Sequence, residues 1–252
     1  MWDTTLTVQH DWYGDTQAGR RLASSGQTAE GGGMPRIKRI LDIIFALMLL
    51  VPLSVVMLAV AAVLLVAQGR PLFYVAHRMR APGQPFRLLK FRTMLREESD
   101  SGATGAHKHW RITPVGRFLR RTRIDELPQL FNILKGDMSF VGPRPPLPEF
   151  VERFPERYAQ VLRNRPGVTG LATMIYHAHE DRIMASCPTA EATEAAYYRR
   201  CLPTKLRLDM IYQRRASLRI DMWIMWNTVM TVIIPQWNGR RYCRRKTRPG
   251  KA

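Results

Sequence analysis

Residues Ile43 to Ala67 read IIFALMLLVPLSVVMLAVAAVLLVA, 25 consecutive positions without a charge. As a straight helix this run reaches roughly 37 Å, enough to cross the apolar core of a bilayer. No other stretch of the 252 residues matches it. Pro52, near its middle, removes a backbone hydrogen bond and bends a helix at a cost of ~3 kcal/mol unless the bend is wanted. Ser54, just beyond, carries a hydroxyl able to satisfy a freed carbonyl. Arg36, Lys38 and Arg39 precede the run, and Arg70, Arg78, Arg80, Lys90 and Arg92 follow it. Because positive charge stays on the cytoplasmic side, both flanks are assigned there. A helix that enters, bends at Pro52 and returns to the same face satisfies both observations. A spanning helix leaves one basic flank on the wrong side, so the re-entrant reading is favoured and the spanning one stays open. Asp42, three residues after Arg39 and four after Lys38, can pair with either on a helix. It reads as an interfacial anchor, with a functional role as the alternative.

Outward from this segment, residues 1–35 hold scattered polar residues and the run Gly31-Gly32-Gly33, and read as a flexible extension without a secretory signal pattern. Residues 69–180 form a compact region with frequent Gly and Pro. Strands are expected over Leu72 to Val75 and Phe86 to Phe91, and a helix from near Asp125 through Leu134, stopped by Gly136. Residues 181–238 read as helices, over Glu191 to Arg200 and Thr204 to Leu218. They end in the apolar stretch Met222 to Ile234, which is too short to span. Trp223, Trp226 and nearby Trp237 suit a helix lying in the headgroup zone, and a buried core helix is the alternative. Residues 239–252 are a basic tail suited to anionic lipid. The fold class is thus α-rich with minor β: a monotopic membrane protein with a kinked re-entrant helix, a cytoplasmic domain and interfacial amphipathic helices.

Composition narrows the partners. With 39 Lys+Arg against 20 Asp+Glu the net charge is +19, which points to nucleic acid, acidic lipid or phosphorylated substrates. Three cysteines, Cys187, Cys201 and Cys243, without Cys-x-x-Cys spacing, argue against a disulfide framework and a zinc site and for a reducing, cytoplasm-facing location. The pairs His107/His109 and His177/His179 would each share a face on a strand, but lack cysteine partners and read as surface histidines rather than a metal site.

The candidate chemistry sits in GRFLRRTRIDELPQL, read from Gly116. Arg117, Arg120, Arg121 and Arg123 precede Asp125 and Glu126. Acids in a first helical turn ordinarily just complement the macrodipole. Beside so many cations they gain another use, since a carboxylate can attack a phosphoryl group once its charge repulsion is neutralised. In Val141-Gly142-Pro143-Arg144-Pro145-Pro146, prolines stiffen the loop and Gly142 permits a turn. Arg144 is thereby presented as a planar phosphate clamp, against the plainer reading of a turn with a solvated arginine. In Lys90-Phe91-Arg92-Thr93-Met94, Lys90 and Arg92 alternate onto one side of a strand.

Together these motifs resemble the bacterial sugar transferase family, the monotopic phosphoglycosyl transferases that start glycan assembly. The order KRILD, LLKFRTM, TPVGRFLRRTRIDELPQLFNILKGDMSFVGPRPP and RPGVTGL carries the resemblance over about Ile37 to Leu171. It implies a re-entrant membrane helix; family members often place Ser before the breaking proline, where this chain has Val51. It also implies that Asp125 is the nucleophile and Glu126 its partner, with magnesium held near Asp125 and Glu126. Phosphate contacts would come from Lys90, Arg92, Arg120 and Arg144, and a nucleotide-facing loop from Pro143 to Pro145. The implied reaction moves a sugar-1-phosphate from a UDP-sugar to polyprenyl phosphate, through an aspartyl intermediate, at the bacterial inner membrane. It would open exopolysaccharide, capsule, O-antigen or glycoprotein glycan synthesis. Glu126 would help hold the metal or assist proton removal. Residues 174–200, with His177, Glu180 and Asp181, depart from the common pattern and either shape a sugar pocket or join helices. The expected partners are UDP-sugar, polyprenyl phosphate and anionic lipid, with room for a homodimer and no nucleic acid.

Two rivals come from other classes. A membrane-tethered nucleic-acid binder would interleave aromatics with its basic residues, whereas half of the tryptophans here gather in or beside an apolar segment. A membrane scaffold without turnover would have no use for Asp125.

Overall fold

The computed structural model describes residues 36–95 and 111–234. Residues 1–35, the 239–252 tail, Trp237, Cys243 and the pair His107/His109 lie outside the described residues. The protein is mostly helical, with two small two-stranded sheets and one long apolar helix.

That helix, α1, spans Arg36–Gln68 as one element, Pro52 included. The residue whose carbonyl loses its donor to Pro52 is Met48, four positions earlier. Ser54 does not serve it, because the Ser54 hydroxyl donates to the carbonyl of Val51 at 2.6 Å. Buried or half-buried residues recur along α1 every three or four positions, from Lys38, Asp42 and Ala46 to Val60 and Leu64, and form one stripe. Outside the stripe Ile44, Leu47, Met48, Val51, Val55 and Leu58 are exposed. Only 11% of its most apolar window is buried, the opposite of a soluble core helix.

Both halves of α1 rest on the same body. A hairpin follows, with β1 (Phe73–Ala81) antiparallel to β2 (Gln84–Phe91), and Gly83 at the turn takes a φ of +71° that favours glycine. Then come α2 (Pro114–Thr122), a 3-10 turn (Ile124–Glu126) and α3 (Gln129–Lys135). In the first half of α1, Ala46, Leu49, Leu50 and Leu53 pack with Leu88, Leu130, Ile133 and Met138. In the second half, Met57, Val60, Ala61 and Leu64 pack with Phe91, Leu119 and Ile124. Arg39 adds a polar clasp, donating to the carbonyls of Ile133 and Leu134 at 2.6 and 2.9 Å and so capping α3. Asp42 does not pair with Lys38 or Arg39 as expected; it accepts the backbone N–H of Phe140, and Lys38 reaches elsewhere.

After α3, the short strands β3 (Ser139–Val141) and β4 (Gly167–Thr169) pair in parallel, with α4 (Pro148–Arg153) and α5 (Pro155–Val161) between them. Gly142 is not a left-handed turn residue. It is a point of close approach, since a Cβ there would strike the Arg165 carbonyl, and one on Gly167 would strike the Gly142 nitrogen. The remainder is α6 (Leu171–Ala185), α7 (Ala190–Ala196), a π turn (Tyr197–Cys201), α8 (Leu202–Arg215) and α9 (Leu218–Ile233). In α9 Ile224 is buried against Val141 and Tyr212, while Met222, Trp223, Trp226 and Val229 face outward. The helix thus has one core face and one exposed apolar face.

Two sequence expectations are corrected and one element is added. The helix placed from Asp125 begins at Gln129, because Arg123 adopts a left-handed φ of 60° that ends α2, and Pro128 precedes the restart. The first strand runs on to Ala81, since pairing with β2 holds polar residues such as His77 and Arg78 in the ladder. An additional helix, α2, starts where Thr113 accepts the N–H of Gly116 at 2.9 Å with Pro114 at its first position.

Candidate active site

Asp125 and Glu126 occupy the 3-10 turn between α2 and α3 and are both buried, at 7% and 8% exposure. Successive residues of such a turn point about 120° apart, so the two carboxylates face different neighbours. Glu126 faces cations. Its Oε1 accepts from Lys90 Nζ at 3.0 Å and from Arg144 Nη2 at 3.2 Å, and its Oε2 from Arg123 Nη1 at 3.3 Å. Burial opposes the charge of Glu126, yet Arg144, Lys90 and Arg123 together hold its carboxyl well below the usual range.

Asp125 is the contrasting member. Its Oδ1 is buried and has no hydrogen-bond partner. Burial and the neighbouring Glu126 charge raise its pKa, against the pull of Lys90, Arg120 and Arg123. The outcome is one carboxylate saturated by cations beside one that is electrostatically supported but uncommitted. Such an oxygen is poorly solvated and comparatively basic, which is what a nucleophile requires.

Several elements set this geometry. The end of β2 delivers Lys90, which burial pushes to a lowered pKa against the attraction of Glu126. Asn132 in α3 clamps that strand, accepting the N–H of Leu89 at 3.0 Å and donating to the Arg87 carbonyl at 2.7 Å. Arg120 on α2 donates to the Thr93 hydroxyl at 2.8 Å, which holds its guanidinium on the Asp125 side. The Pro-stiffened loop after β3 brings Arg144, whose pKa is raised chiefly by Glu126. Next to these groups lies a small, partly open cleft lined by Arg78, Lys90, Gln129, Arg144 and Pro145, among others.

A family model described as bacterial sugar transferase matches residues 34–235. The chain belongs to this family. Among curated relatives, it is 33% identical over 203 residues to a UDP-N-acetylgalactosamine-undecaprenyl-phosphate N-acetylgalactosaminephosphotransferase of Aeromonas hydrophila, covering 78% of this chain and 44% of the relative. It is 41% identical over 152 residues to a UDP-glucose:undecaprenyl-phosphate glucose-1-phosphate transferase of Caulobacter vibrioides, covering 56% of this chain and 57% of that protein. It is 38% identical over 219 residues to the exopolysaccharide production protein ExoY of Rhizobium meliloti, covering 81% and 87%. The chain therefore spans about half the length of the first two and most of the third.

Of the residues singled out in this transferase-family sequence, Asp125, Glu126, Lys90, Arg120 and Arg144 come together in space. Pro143 and Pro145 are buried and brace the loop on either side of Arg144. Arg92 leaves the cluster. Its guanidinium donates to the carbonyls of Gln68 and Gly69 at 2.6 and 2.9 Å, at the end of α1, because the residues after Phe91 turn away from the β2 face that carries Lys90. Glu126, expected to share a metal with Asp125, has both oxygens taken by cations. Among the described residues no group of three or more His, Cys, Asp or Glu could hold a metal. His177 and His179 lie on helix α6, where positions two apart diverge, and not on a strand.

Sequence reasoning overlooked Thr93 and undervalued Arg123 and Arg78. Thr93 lies in LLKFRTM and Arg123 among the arginines before Asp125, so a signal was present, but which side chains meet depended on the chain reversal at Arg123. The 171–185 helix lies near enough for Arg123 and Arg144 to depress the His177 pKa, after desolvation. Its Glu180 pairs with Lys205 at 2.9 Å.

Proposed function

We propose that this protein transfers a sugar-1-phosphate from a UDP-sugar to undecaprenyl or a similar polyprenyl phosphate, with Asp125 as the nucleophile. The observation that carries this reading is the unpartnered, buried Oδ1 of Asp125 beside a Glu126 neutralised by Lys90, Arg123 and Arg144. The names of the relatives supply the donor and acceptor classes. They disagree on the sugar, so the sugar is left unassigned.

In the first step an Asp125 oxygen attacks the sugar-proximal phosphorus. The bond from that phosphorus to the bridging oxygen breaks, and UMP departs with the oxygen and the electron pair. In the second step an oxygen of the lipid phosphate attacks the same phosphorus, the bond to Asp125 breaks, and the free carboxylate is restored with polyprenyl-diphosphate-sugar as product. Lys90, Arg120 and Arg144 bind and orient the phosphate oxygens, lowering the repulsion between carboxylate and phosphate. Glu126 holds Lys90, Arg123 and Arg144 in register and is a positioning residue.

Asp125 also fits magnesium, since one open carboxylate oxygen beside substrate phosphates is a usual way to hold this ion. Magnesium there would neutralise phosphate oxygens. The engaged oxygens of Glu126 make it the poorer ligand.

The two basic flanks and the packing of both halves of α1 on one body support a re-entrant helix, bent at Pro52 and with both ends at the cytoplasmic face. A helix crossing the bilayer would carry one half away from that body. The exposed face of α9, with Trp223 and Trp226, suits the headgroup zone of an anionic inner membrane.

Purified full-length protein given UDP-sugars, magnesium and polyprenyl phosphate should release UMP from one donor. With donor alone, a sugar phosphate should appear on the peptide containing Asp125. Asp125→Asn should abolish both without loss of membrane association. A fully active Asp125→Asn protein would sink the nucleophile assignment. Cysteine labelling should place position 36 and position 80 on the same side of the membrane, and opposite sides would refute the re-entrant helix.

A further inference from the structure

Among the described residues that line the cleft, Arg78 is the one cation to which the reaction above gives no task. It lies in β1, and its strand is pinned to the Arg144 loop because Met79 N–H donates to the Pro146 carbonyl at 3.1 Å. Arg78 therefore lines the same cleft as Lys90 and Arg144. Those two already share the Glu126 carboxylate. Arg78 has no such arrangement: its Nε is buried without a hydrogen-bond partner. Among the described residues no ion pair to it is formed, and Glu149 acts on it only through space.

Two guanidinium groups facing one narrow cleft repel each other unless an anion sits between them. A planar fork with an unused N–H suits the tetrahedral oxygens of a phosphate monoester. We propose that Arg78 and Arg144 together form a seat for the phosphate monoester that is not attached to Asp125. Burial, and then the nearby Arg144, lower the Arg78 pKa to about 10, which leaves it fully charged at neutral pH and in need of an anion.

The inference rests on the two-step transfer. In that scheme a nucleoside monophosphate leaves and a lipid monophosphate arrives, and both must present a phosphate monoester beside the same phosphorus. A single seat used in turn would align the leaving and attacking oxygens on one side of the Asp125-linked phosphorus.

The test is a binding titration of the full chain in detergent micelles, with UMP, farnesyl phosphate and uridine as probes. Arg78→Gln should weaken UMP, farnesyl phosphate or both about tenfold or more, as expected for loss of one charge-assisted hydrogen bond in a partly buried site. Uridine, which has no phosphate, should bind as before, and Arg78→Lys should recover part of the loss. Weakening of UMP alone assigns the seat to the nucleotide, and weakening of farnesyl phosphate alone assigns it to the lipid acceptor. Unchanged affinity for both phosphates overturns the proposal, as does an equal loss for uridine, which would mark Arg78 as a packing residue. If Arg78→Gln does not fold, Arg78→Lys decides by the same comparison of phosphate and uridine. Turnover is not needed, so a wild-type protein that binds UMP through Arg78 but never carries sugar phosphate on Asp125 refutes the nucleophile and leaves this seat standing.

Discussion

Lys38, in the first turn of α1, and Asp221, in the first turn of α9, form an ion pair of 2.7 Å at opposite ends of the described chain, each side chain only 9% exposed. Lys38 also donates to the hydroxyl of Tyr212 and to the Val141 carbonyl, both at 2.9 Å, and Tyr212 donates to Asp221 at 2.7 Å. Val141 is the last residue of β3, immediately before the loop that presents Arg144. The long apolar helix α1, the C-terminal helix α9 and the root of the loop that carries Arg144 therefore share one buried polar node.

Breaking that node on one side should be costly. Lys38→Met leaves Asp221 charged and buried, and a loss of about 3–5 kcal/mol is expected in denaturant unfolding. The double change Lys38→Met with Asp221→Leu should recover much of it, because the desolvation penalty goes with the charge. Strict additivity of the two losses would show that the pair is not coupled.

Asp125→Asn should abolish transfer and raise thermal stability at neutral pH. The folded-state pKa of Asp125 is raised, so its ionisation weakens folding once pH exceeds the unfolded value near 3.8, with the full cost above the folded value. The gain should therefore shrink as pH falls from the folded value toward about 4 and be absent below it. Melting curves across pH 3.5 to 8 check the sign, and an inactive variant that is also less stable at pH 7 contradicts it.

Glu126 behaves in the opposite way. Its depressed pKa contributes stability that is complete above the unfolded value near 4.5 and is lost as pH falls toward the folded value. Glu126→Gln should lower stability at pH 7 by at least about 2 kcal/mol, since Lys90, Arg123 and Arg144 lose their common anion. The deficit should narrow in acid. A deficit that stays constant from pH 7 to pH 3 would remove the electrostatic account.

Asp209 on α8 is buried, its Oδ1 has no partner, and burial pushes its pKa up to about 7 despite Lys205. Its ionisation costs stability that begins above about pH 4 and is complete above about pH 7. Asp209→Asn should gain up to about 4 kcal/mol at pH 8 and little at pH 4. Equal stability of the two proteins at pH 8 would show that the native site already accommodates the charge.

Much of this protein is legible before folding. An uncharged run of 25 residues reads as one long apolar helix, and Gly136, at a φ of +94°, ends α3 where a glycine was expected to. The acids at 125 and 126 amid arginines identify the charged centre, because electrostatic neutralisation needs only proximity in sequence and charge of the right sign. What each does is another matter. Local pattern treated Asp125 and Glu126 as the opening of a helix and Lys90 and Arg92 as neighbours on a strand. The left-handed Arg123 and the end of β2 after Phe91 made the members of each pair diverge.

The amino-acid sequence by itself determined the long apolar helix, the charge of the site and the family, since these follow from hydropathy, composition and motif order. Only the tertiary structure decided that Glu126 takes the cations while an oxygen of Asp125 stays open, that Arg92 caps α1, and that Arg78 joins Arg144. Those assignments depend on which distant side chains burial brings within about 3 Å of one another, and at that range one turn of backbone outweighs any local propensity.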